Sequence, residues 1–339
     1  LPHNTVHSIT QSTDGYLWFA TWNGLARFNG RNFTLFNAIT EPSFQTSGVR
    51  SVVAGVNGEV WAVTTRSGLH HYSNRQWQTL VLPADATGMK LATLKFDQNG
   101  LLWIGSQGQG VLTYDPQSKQ FARPKPASEF GDTWIQCFYE DTDGSMWIAG
   151  ARGLLHFQNG KLQALGSAHG LIDGASIFSV QRDSRGVLWV GGETGLYRMR
   201  VNAPSGTRMF EVVNIGLKTA VQTISEDKNG NVWVGTQSGG LLRLRDDGHF
   251  DRLMAARGLA NNRVMALHED REASLWVGTN AGLTRLSDSP FFRISRRDGL
   301  SDEFIRSIFP VKNGSVWIGT SRGLGEFLDG RVKRVRNAP

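Results

Sequence analysis

Hydrophobic and polar positions follow one pattern that recurs along this chain. In residues 221–244 an alternating aliphatic stretch leads into an Asp-x-x-Gly turn, and a tryptophan-centred stretch, a short loop and a third alternating stretch follow. Alternation with a period of two predicts β-strands, and turn residues between such stretches predict hairpins. A more variable fourth stretch comes next, as in residues 32–36 and 291–294. Each copy therefore predicts four antiparallel strands.

The pattern occurs in eight copies, and each copy is centred on a tryptophan. These are Trp18, Trp61, Trp103, Trp147, Trp189, Trp233, Trp276 and Trp317. They recur every 41 to 44 residues, a period typical of β-propellers. Because such repeats bury their apolar faces only against their neighbours, residues 1–339 are predicted to form a single domain. We expect an all-β fold, a β-propeller of eight four-stranded antiparallel blades closed into a ring.

Position within the repeat separates expected core residues from candidate site residues. The tryptophans and the aliphatic residues of each first strand are expected to pack blade against blade, and the Asp-x-x-Gly turns are structural. The loops between the second and third strands keep one frame but differ in content. A rigid scaffold with variable loops is typical of binding proteins. The candidate ligand-binding face therefore holds these loops and the segments that lead into each first strand.

The candidate residues on this face are amides, cations, carboxylates and aromatics. They are Trp22, Asn23, Arg66, Gln107, Gln109, Trp134, Arg152, Glu193, Gln237, Asn280, Glu303 and Arg322. Arg66, Arg152 and Arg322 offer planar forks for carboxylate or phosphate. Trp22 and Trp134 lie outside the register of the core tryptophans and are suited to stacking on a sugar or a flat ligand. We expect the ligand to be a small molecule, an oligosaccharide or a peptide, either neutral or anionic.

Composition and charge remove several classes of function. The formal net charge is +7 and the isoelectric point is about 9.7. The basic residues are scattered apart from a terminal cluster in residues 331–336, which favours a mildly cationic surface over nucleic-acid binding. The single cysteine, Cys137, excludes an internal disulfide and a cysteine-based metal cluster. Histidine spacing predicts no metal site, and no catalytic motif is visible, so neither a catalytic residue nor a cofactor is expected.

The chain shows no membrane-spanning pattern. No run approaches the roughly 18 consecutive apolar residues that a spanning helix needs. Residue 1 is leucine rather than an initiator methionine, so we expect a processed or excised piece. Any signal peptide or membrane anchor would then lie outside it.

The repeat resembles the two-component regulator propeller repeat. Its core, Ser-Ile-x-x-Asp-x-x-Gly-x-Leu-Trp-Ile-Gly-Thr-x-x-Gly-Leu-x-Arg-Phe, is visible in residues 6–28 and again in residues 305–327. The resemblance implies a periplasmic, non-catalytic sensor region of an inner-membrane protein, with a histidine kinase or diguanylate cyclase output outside this chain. Members often carry two seven-bladed propellers in tandem. Seven blades plus an extra repeat is therefore the alternative to an eight-bladed ring.

Two other functions stay open. Similar propellers occur in streptogramin lyases, which work with a metal ion and a His/Glu pair near the central channel, and Glu193, Glu303 and His7 are the nearest candidates here. A protein-interaction platform, including a homodimer in the full receptor, is the third reading. Clustered acids and bases in the central pocket would favour the enzyme, whereas a wide mouth with arginine and tryptophan would favour sensing. An apolar patch away from the axis would favour interaction.

Overall fold

The chain folds almost entirely into β-strands. The computed structural model describes it apart from residues 47, 67, 126–129, 132, 201–208, 246–247, 288–293, 295, 297–298, 312–314, 329–330 and 336–339. Short 3-10 turns lie at Ala84–Ala86, Ser167–His169 and Ala255–Arg257. Among the described residues, no helix has the length and apolar character that crossing a membrane requires. The contacts divide the chain into two compact units, Leu1–Ser287 and Asp288–Pro339.

The unit Leu1–Ser287 contains seven antiparallel sheets whose strands follow chain order. The first two sheets are β1 (Val6–Gln11), β2 (Leu17–Thr21), β3 (Gly24–Phe28), β4 (Phe33–Phe36), and β5 (Val49–Ala54), β6 (Val60–Thr64), β7 (Leu69–Ser73), β8 (Gln76–Leu80). The third and fourth are β9 (Leu91–Phe96), β10 (Leu102–Ser106), β11 (Val111–Asp115), β12 (Gln120–Ala122), and β13 (Ile135–Glu140), β14 (Met146–Gly150), β15 (Gly153–Gln158), β16 (Lys161–Leu165).

The fifth and sixth sheets are β17 (Ile177–Arg182), β18 (Leu188–Gly192), β19 (Gly195–Met199), β20 (Phe210–Val213), and β21 (Val221–Glu226), β22 (Val232–Thr236), β23 (Leu241–Leu244), β24 (Phe250–Leu253). The seventh is β25 (Val264–Glu269), β26 (Leu275–Thr279), β27 (Gly282–Leu286). Its predicted fourth strand, residues 291–294, lies outside the described residues except for Ile294. The unit Asp288–Pro339 holds the eighth sheet, β28 (Ile305–Pro310), β29 (Val316–Thr320), β30 (Gly323–Leu328), β31 (Arg331–Arg334).

The tryptophan of each repeat lies in the second strand. In the first and in the third to seventh repeats its indole N–H donates to a side-chain oxygen six residues earlier. Trp189 Nε1 donates to the Asp183 carboxylate at 2.9 Å, and the aspartates of the third, fourth, sixth and seventh repeats accept in the same way. Each of these aspartates is also the first residue of its turn, which is Asp-x-x-Gly except in the seventh repeat, where Ala273 replaces the glycine. The motif therefore closes a hairpin and satisfies a buried indole N–H at the same time.

A β-bulge occurs at the second residue of every first strand. The bulged residues are His7, Arg50, Ala92, Gln136, Phe178, Gln222, Met265 and Arg306. On either side of each bulge the strand pairs with its neighbour in regular register. A bulge leaves one residue extra to the ladder and re-aims its side chain. The first seven of these residues all line one central cavity.

The sheets of Leu1–Ser287 close into a ring because the first packs against the seventh. Gln11 Oε1 accepts a hydrogen bond from the Arg271 backbone N–H at 2.9 Å, and the rings of Phe19 and Trp276 lie 5.5 Å apart. A Cβ added to Gly278 would lie 2.9 Å from Cγ1 of Val6. The first sheet thus lies directly against the seventh.

The predicted all-β propeller architecture and its eight sheets are confirmed. The ring itself closes with seven sheets, which corresponds to the alternative of seven blades plus an extra repeat. The physical reason is that the face of the first sheet that an eighth blade would cover is occupied by the seventh. The single domain expected for residues 1–339 stays a prediction.

The eighth sheet differs from the others in its first strand. All six residues of β28 are exposed, including Ile308 at 65% and Phe309 at 67%. The residues that match Ile308 in the other sheets, such as Ile9 and Ile224, are buried between neighbouring sheets. The apolar residues of β28 therefore match the core pattern of the repeat but are exposed in this unit.

Candidate functional site

The first strands of all seven sheets in Leu1–Ser287 surround one central cavity of about 740 Å³. The seven bulged residues His7, Arg50, Ala92, Gln136, Phe178, Gln222 and Met265 all line it. A second layer comes from residues three positions further along, including Lys95, Tyr139 and Gln181. The bulges therefore place one side chain from each sheet into a common space on the propeller axis.

Arg50 is the centre of an aromatic cluster in this cavity. Its guanidinium carbon lies 5.2 Å from the ring centroid of Trp22 and 5.4 Å from that of Trp134, within the range of cation–π interaction. Gln107, with its amide oxygen facing the arginine, accepts from Nε at 3.0 Å and from Nη2 at 3.3 Å. Burial lowers the pKa of Arg50 from its usual value, but an arginine remains charged.

The loops hold this cluster by main-chain contacts. Gln107 and Trp134 form an antiparallel bridge, and the Gln107 backbone N–H donates to the carbonyl oxygen of Lys90 at 2.8 Å. The carbonyl oxygen of Trp134 accepts from the Ala151 N–H at 2.9 Å. The third and fourth sheets are thereby tied together next to Arg50, which comes from the second sheet.

His7 completes the cluster as a neutral group. Its ring meets Trp22 edge to face at 4.1 Å. Burial, followed by the positive charges of Arg50, His3 and Arg263, lowers the pKa of His7 to about 4. The imidazole is therefore uncharged near neutral pH. Its buried Nε2 has no hydrogen-bond partner among the described residues.

The ionisable side chains that line the cavity are mainly cationic. Arg50, Lys95 and Arg263 contribute positive charge, and no carboxylate belongs to the described lining. Cys137 also lines the cavity, and burial raises the pKa of its thiol. A site with several cations and no acid in its wall creates a positive potential, which attracts anions.

A second concave region lies between the outer strands of the first two sheets. It measures about 1000 Å³ and includes Arg27, Tyr16, Tyr72 and Glu59. Arg27, one of its two arginines, is already engaged, because its Nη1 donates to the Tyr72 hydroxyl at 2.9 Å and the guanidinium lies over the Tyr16 ring at 4.6 Å. The lining also contains the carboxylates of Asp14 and Glu59. The central cavity, where the cation has only neutral partners, is the better candidate.

The structure brings together three of the residues predicted from sequence. Trp22 and Trp134 line the central cavity and are 41% and 38% exposed, and Gln107 contacts Arg50. Asn23 is exposed and donates to the carbonyl oxygen of Pro2. Gln109 accepts from the Lys90 N–H at 3.0 Å. Asn23 and Gln109 therefore join their loops to the segments that lead into the first strands of the same sheets.

The remaining predicted residues are exposed and lie apart from the cavity lining. Glu193 accepts from the Ser176 N–H, the Gln237 and Asn280 backbones pair with Ala220 and Arg263, and Arg66 is exposed. Arg152 lines a smaller hollow of about 190 Å³. In the unit Asp288–Pro339, Arg322 lies 3.5 Å from the Asp302 carboxylate, and Glu303 is exposed.

Sequence reasoning missed Arg50 and most of the bulged residues. A signal was present, because the second position of each first strand varies between histidine, arginine, alanine, amide and large apolar side chains. The positions on either side keep an aliphatic residue and, in most repeats, a small polar one. The variable position is thus inside a strand, whereas we looked for site residues only in the loops and in the segments that lead into each first strand.

Comparison with known proteins supports the repeat assignment. The two-component regulator propeller family matches residues 1–23, 129–152, 216–238 and 299–322. No curated protein matches the chain. Of solved structures, one extracellular domain assigned to a hybrid two-component system of B. thetaiotaomicron has a TM-score of 0.72 and 22% identity, over 99% of this chain and 48% of that one. A second from the same organism, assigned to a one-component system, has a TM-score of 0.69 and 20% identity, over 99% and 46%.

Other propellers show a similar fold. The virginiamycin B lyase of Staphylococcus aureus has a TM-score of 0.60 and 13% identity, over 83% of this chain and 94% of the lyase. The chain spans about half the length of the B. thetaiotaomicron extracellular domains. At these identities the structural likeness concerns the fold alone. The family match confirms the resemblance seen in the sequence: four segments of this chain are similar to two-component regulator propeller repeats.

Proposed function

We propose that this chain is the ligand-sensing, extracytoplasmic propeller of a membrane signalling receptor. Its output, a histidine kinase or a diguanylate cyclase, would lie in a part of the receptor outside this chain. The observation that carries the proposal is the central cavity, in which Arg50 stands beside two partly exposed tryptophans. Concave sites with aromatic walls and a few oriented polar groups are typical of small-molecule binding. The extracellular location of similar domains supports a periplasmic site of action.

We further propose that the cavity binds its ligand without transforming it. Among the described residues of the lining, His7 has no carboxylate beside it, whereas the lyase alternative calls for a His/Glu pair near the channel. Glu193, one candidate for that pair, accepts instead from the Ser176 backbone N–H, just before β17. Signalling would then depend on the difference in ligand affinity between two arrangements of the receptor. This difference sets the largest shift that the ligand can produce in the equilibrium between them. A homodimer in the full receptor is part of the same proposal.

A thermal-shift screen of the chain against sugars, amino acids and cell-wall fragments tests this function. We expect at least one compound to raise the unfolding temperature of the wild type, and to lose this effect with Trp22→Ala or Trp134→Ala, because both rings line the cavity. Arg66→Ala, at an exposed loop position outside the lining, is the matched control. Hits that survive both tryptophan changes would contradict the proposed site. Chemical conversion of a hit during incubation would contradict the non-catalytic role.

A further inference from the structure

We propose that the central cavity recognises a small organic anion whose charged group adjoins a flat ring, with the anion on Arg50 and the ring against Trp22 or Trp134. This inference rests on the proposed function, since it names the ligand class of the same cavity. A carboxylate is the simplest member of the class. The inference follows from three features of the wall, namely its charge balance, the placement of Arg50, and the exposed aromatic surface.

The charge balance of the wall favours an anion. Arg50, Lys95 and Arg263 line the cavity, and no carboxylate does so among the described residues. Within the described part of the chain, no carboxylate lies within salt-bridge distance of Arg50 or Lys95. Removing a cation from water without a counter-charge costs free energy, and an anionic ligand would offset that cost.

Arg50 is positioned by neutral groups that leave part of its fork free. The Gln107 amide oxygen accepts hydrogen bonds from Arg50 Nε and from one hydrogen of Nη2. The two indoles lie near the Arg50 guanidinium. Among the described residues no group accepts from Nη1 or from the second hydrogen of Nη2, so these donors can bind a ligand oxygen. Because the side chain is already held in place, little conformational entropy is lost when the anion binds.

The aromatic surface next to Arg50 favours a flat ligand. Trp22 and Trp134 lie beside the guanidinium and retain exposed area within the cavity. An acid paired with Arg50 has these indoles within reach, and a ring attached to the acid gains from stacking. Elsewhere in the wall, Phe178 and Met265 offer apolar contacts, while Gln136 and Gln222 offer hydrogen bonds to substituents. The volume of about 740 Å³ suits a ligand of ordinary small-molecule size.

Matched probe compounds test the class by calorimetry on the whole chain. The probes are 4-hydroxybenzoate, its uncharged amide, and cyclohexanecarboxylate, which keeps the charge but lacks a flat ring. We expect 4-hydroxybenzoate to bind about tenfold more tightly than the amide, since a charge-assisted hydrogen bond is worth at least that factor. It should also bind more tightly than cyclohexanecarboxylate, and Trp134→Leu should reduce that second preference.

Arg50→Gln is the decisive variant, and Arg66→Gln is its matched control. Arg50→Gln should abolish the preference for acid over amide, and Arg66→Gln should retain it. The unfolding temperature of Arg50→Gln should be unchanged or higher, because the change removes a partly buried charge that has no carboxylate partner among the described residues. Lys95→Gln, which alters the same cavity from another sheet, should weaken acid binding and gives a second variant that does not depend on Arg50.

The single cysteine of the chain supplies a second readout. Cys137 lines the cavity, so a bound acid should slow its reaction with a small methanethiosulfonate as the cavity fills. This measurement separates binding in the cavity from weak binding of acids to the cationic surface. Acid binding that leaves the Cys137 rate unchanged, or that survives Arg50→Gln, would overturn the proposal.

The remaining outcomes separate this inference from the proposed function. If acid and amide bind equally and both protect Cys137, the ligand class is wrong and ligand sensing in the cavity stands. If none of the three probes binds in the millimolar range, the class is also wrong. Ligand sensing would then be decided by the thermal-shift screen, that is, by whether a compound stabilises the wild type and loses this effect with Trp134→Ala.

Discussion

At the scale of single residues, His70 is a buried histidine whose structural role depends on its being neutral. The side chain is 1% exposed and contacts the Phe44 ring in a tilted arrangement, with ring centroids 4.5 Å apart. Its Nδ1 lies 3.0 Å from the Thr79 hydroxyl and its Nε2 lies 3.4 Å from that of Thr64. Burial lowers the pKa of His70 from 6.5 to about 4. Folding therefore excludes a proton that the unfolded chain binds.

We predict that His70 makes the protein less stable in mild acid. A lowered pKa in the folded state gives stability that is complete above pH 6.5 and is lost as the pH falls through about 4. A shift of this size corresponds to about 3 kcal/mol of unfolding free energy. Urea unfolding of wild type and His70→Gln should therefore give a difference that shrinks between neutral pH and about pH 4.

A His70→Gln difference that stays constant over the same pH range would show that protonation of His70 does not contribute.

Residue-scale reasoning from sequence succeeded where side-chain type and position in the repeat were both unusual. Trp22 and Trp134 stood out because they break the tryptophan register, and both line the cavity. Arg50 escaped notice because it is inside a first strand, where alternation predicts either a core residue or an ordinary outward-facing one. Only the bulge gives it a different direction, and a bulge depends on pairing with a second strand. The residues predicted from the loops are therefore only part of the cavity lining, and the bulged residues of the first strands form much of the rest.

At the scale of elements, neighbouring sheets are joined by a contact that repeats around the ring. Glu140, Glu226 and Glu269, each at the end of a first strand, accept hydrogen bonds from backbone N–H groups in the turn of the preceding sheet. Gln11 does the same for Arg271 between the first and seventh sheets. The closing interface thus uses the same device as the internal ones.

We predict that Arg271→Ala weakens the closure of the ring. The Arg271 guanidinium donates to the carbonyl oxygens of Thr13 at 2.9 Å and of Ser12 at 3.2 Å, across the interface between the seventh and first sheets. Losing these two bonds should lower the free energy of unfolding by about 2 kcal/mol in urea titrations. Arg66→Ala, an exposed arginine in a loop, should have an effect below about 0.5 kcal/mol. Equal effects for the two variants would contradict the role given to Arg271.

The sequence predicted the sheets but not how many of them close the ring. Each strand pattern is local, so the four-stranded blades and their order followed directly from alternation and turns. The closing interface, however, resembles the internal ones. Gly278 meets Val6 between the seventh and first sheets much as Gly191 meets Val221 between the fifth and sixth. Since every repeat has the same surfaces for packing against its neighbours, no single residue in the sequence indicates which repeat closes the ring.

At the scale of the whole molecule, the closed ring of Leu1–Ser287 predicts that the last repeat is dispensable for its folding. A chain that ends at residue 298 keeps residues 291–294, the predicted outer strand of the seventh sheet. It also keeps both sides of the contact between the first and seventh sheets. We expect it to unfold cooperatively, with a midpoint within about 5 °C of that of the full chain by calorimetry.

A second truncation gives the control for this prediction. Ending the chain at residue 254 removes the seventh sheet and with it the partner of Phe19 and Gln11. That chain should lose its cooperative transition, because the first and sixth sheets would each expose an uncovered apolar face. If ending at residue 298 were as damaging as ending at 254, the eighth repeat would be needed for the ring.

The bulges also bear on how such proteins diversify. A bulged residue is extra to the ladder, so its replacement leaves the paired residues on either side in register. The seven positions from His7 to Met265 are therefore free to mutate singly or together without a change in loop length or in the interfaces between sheets. Descendants of one such scaffold would acquire new chemical preferences by point substitution alone, with each sheet contributing one independent choice.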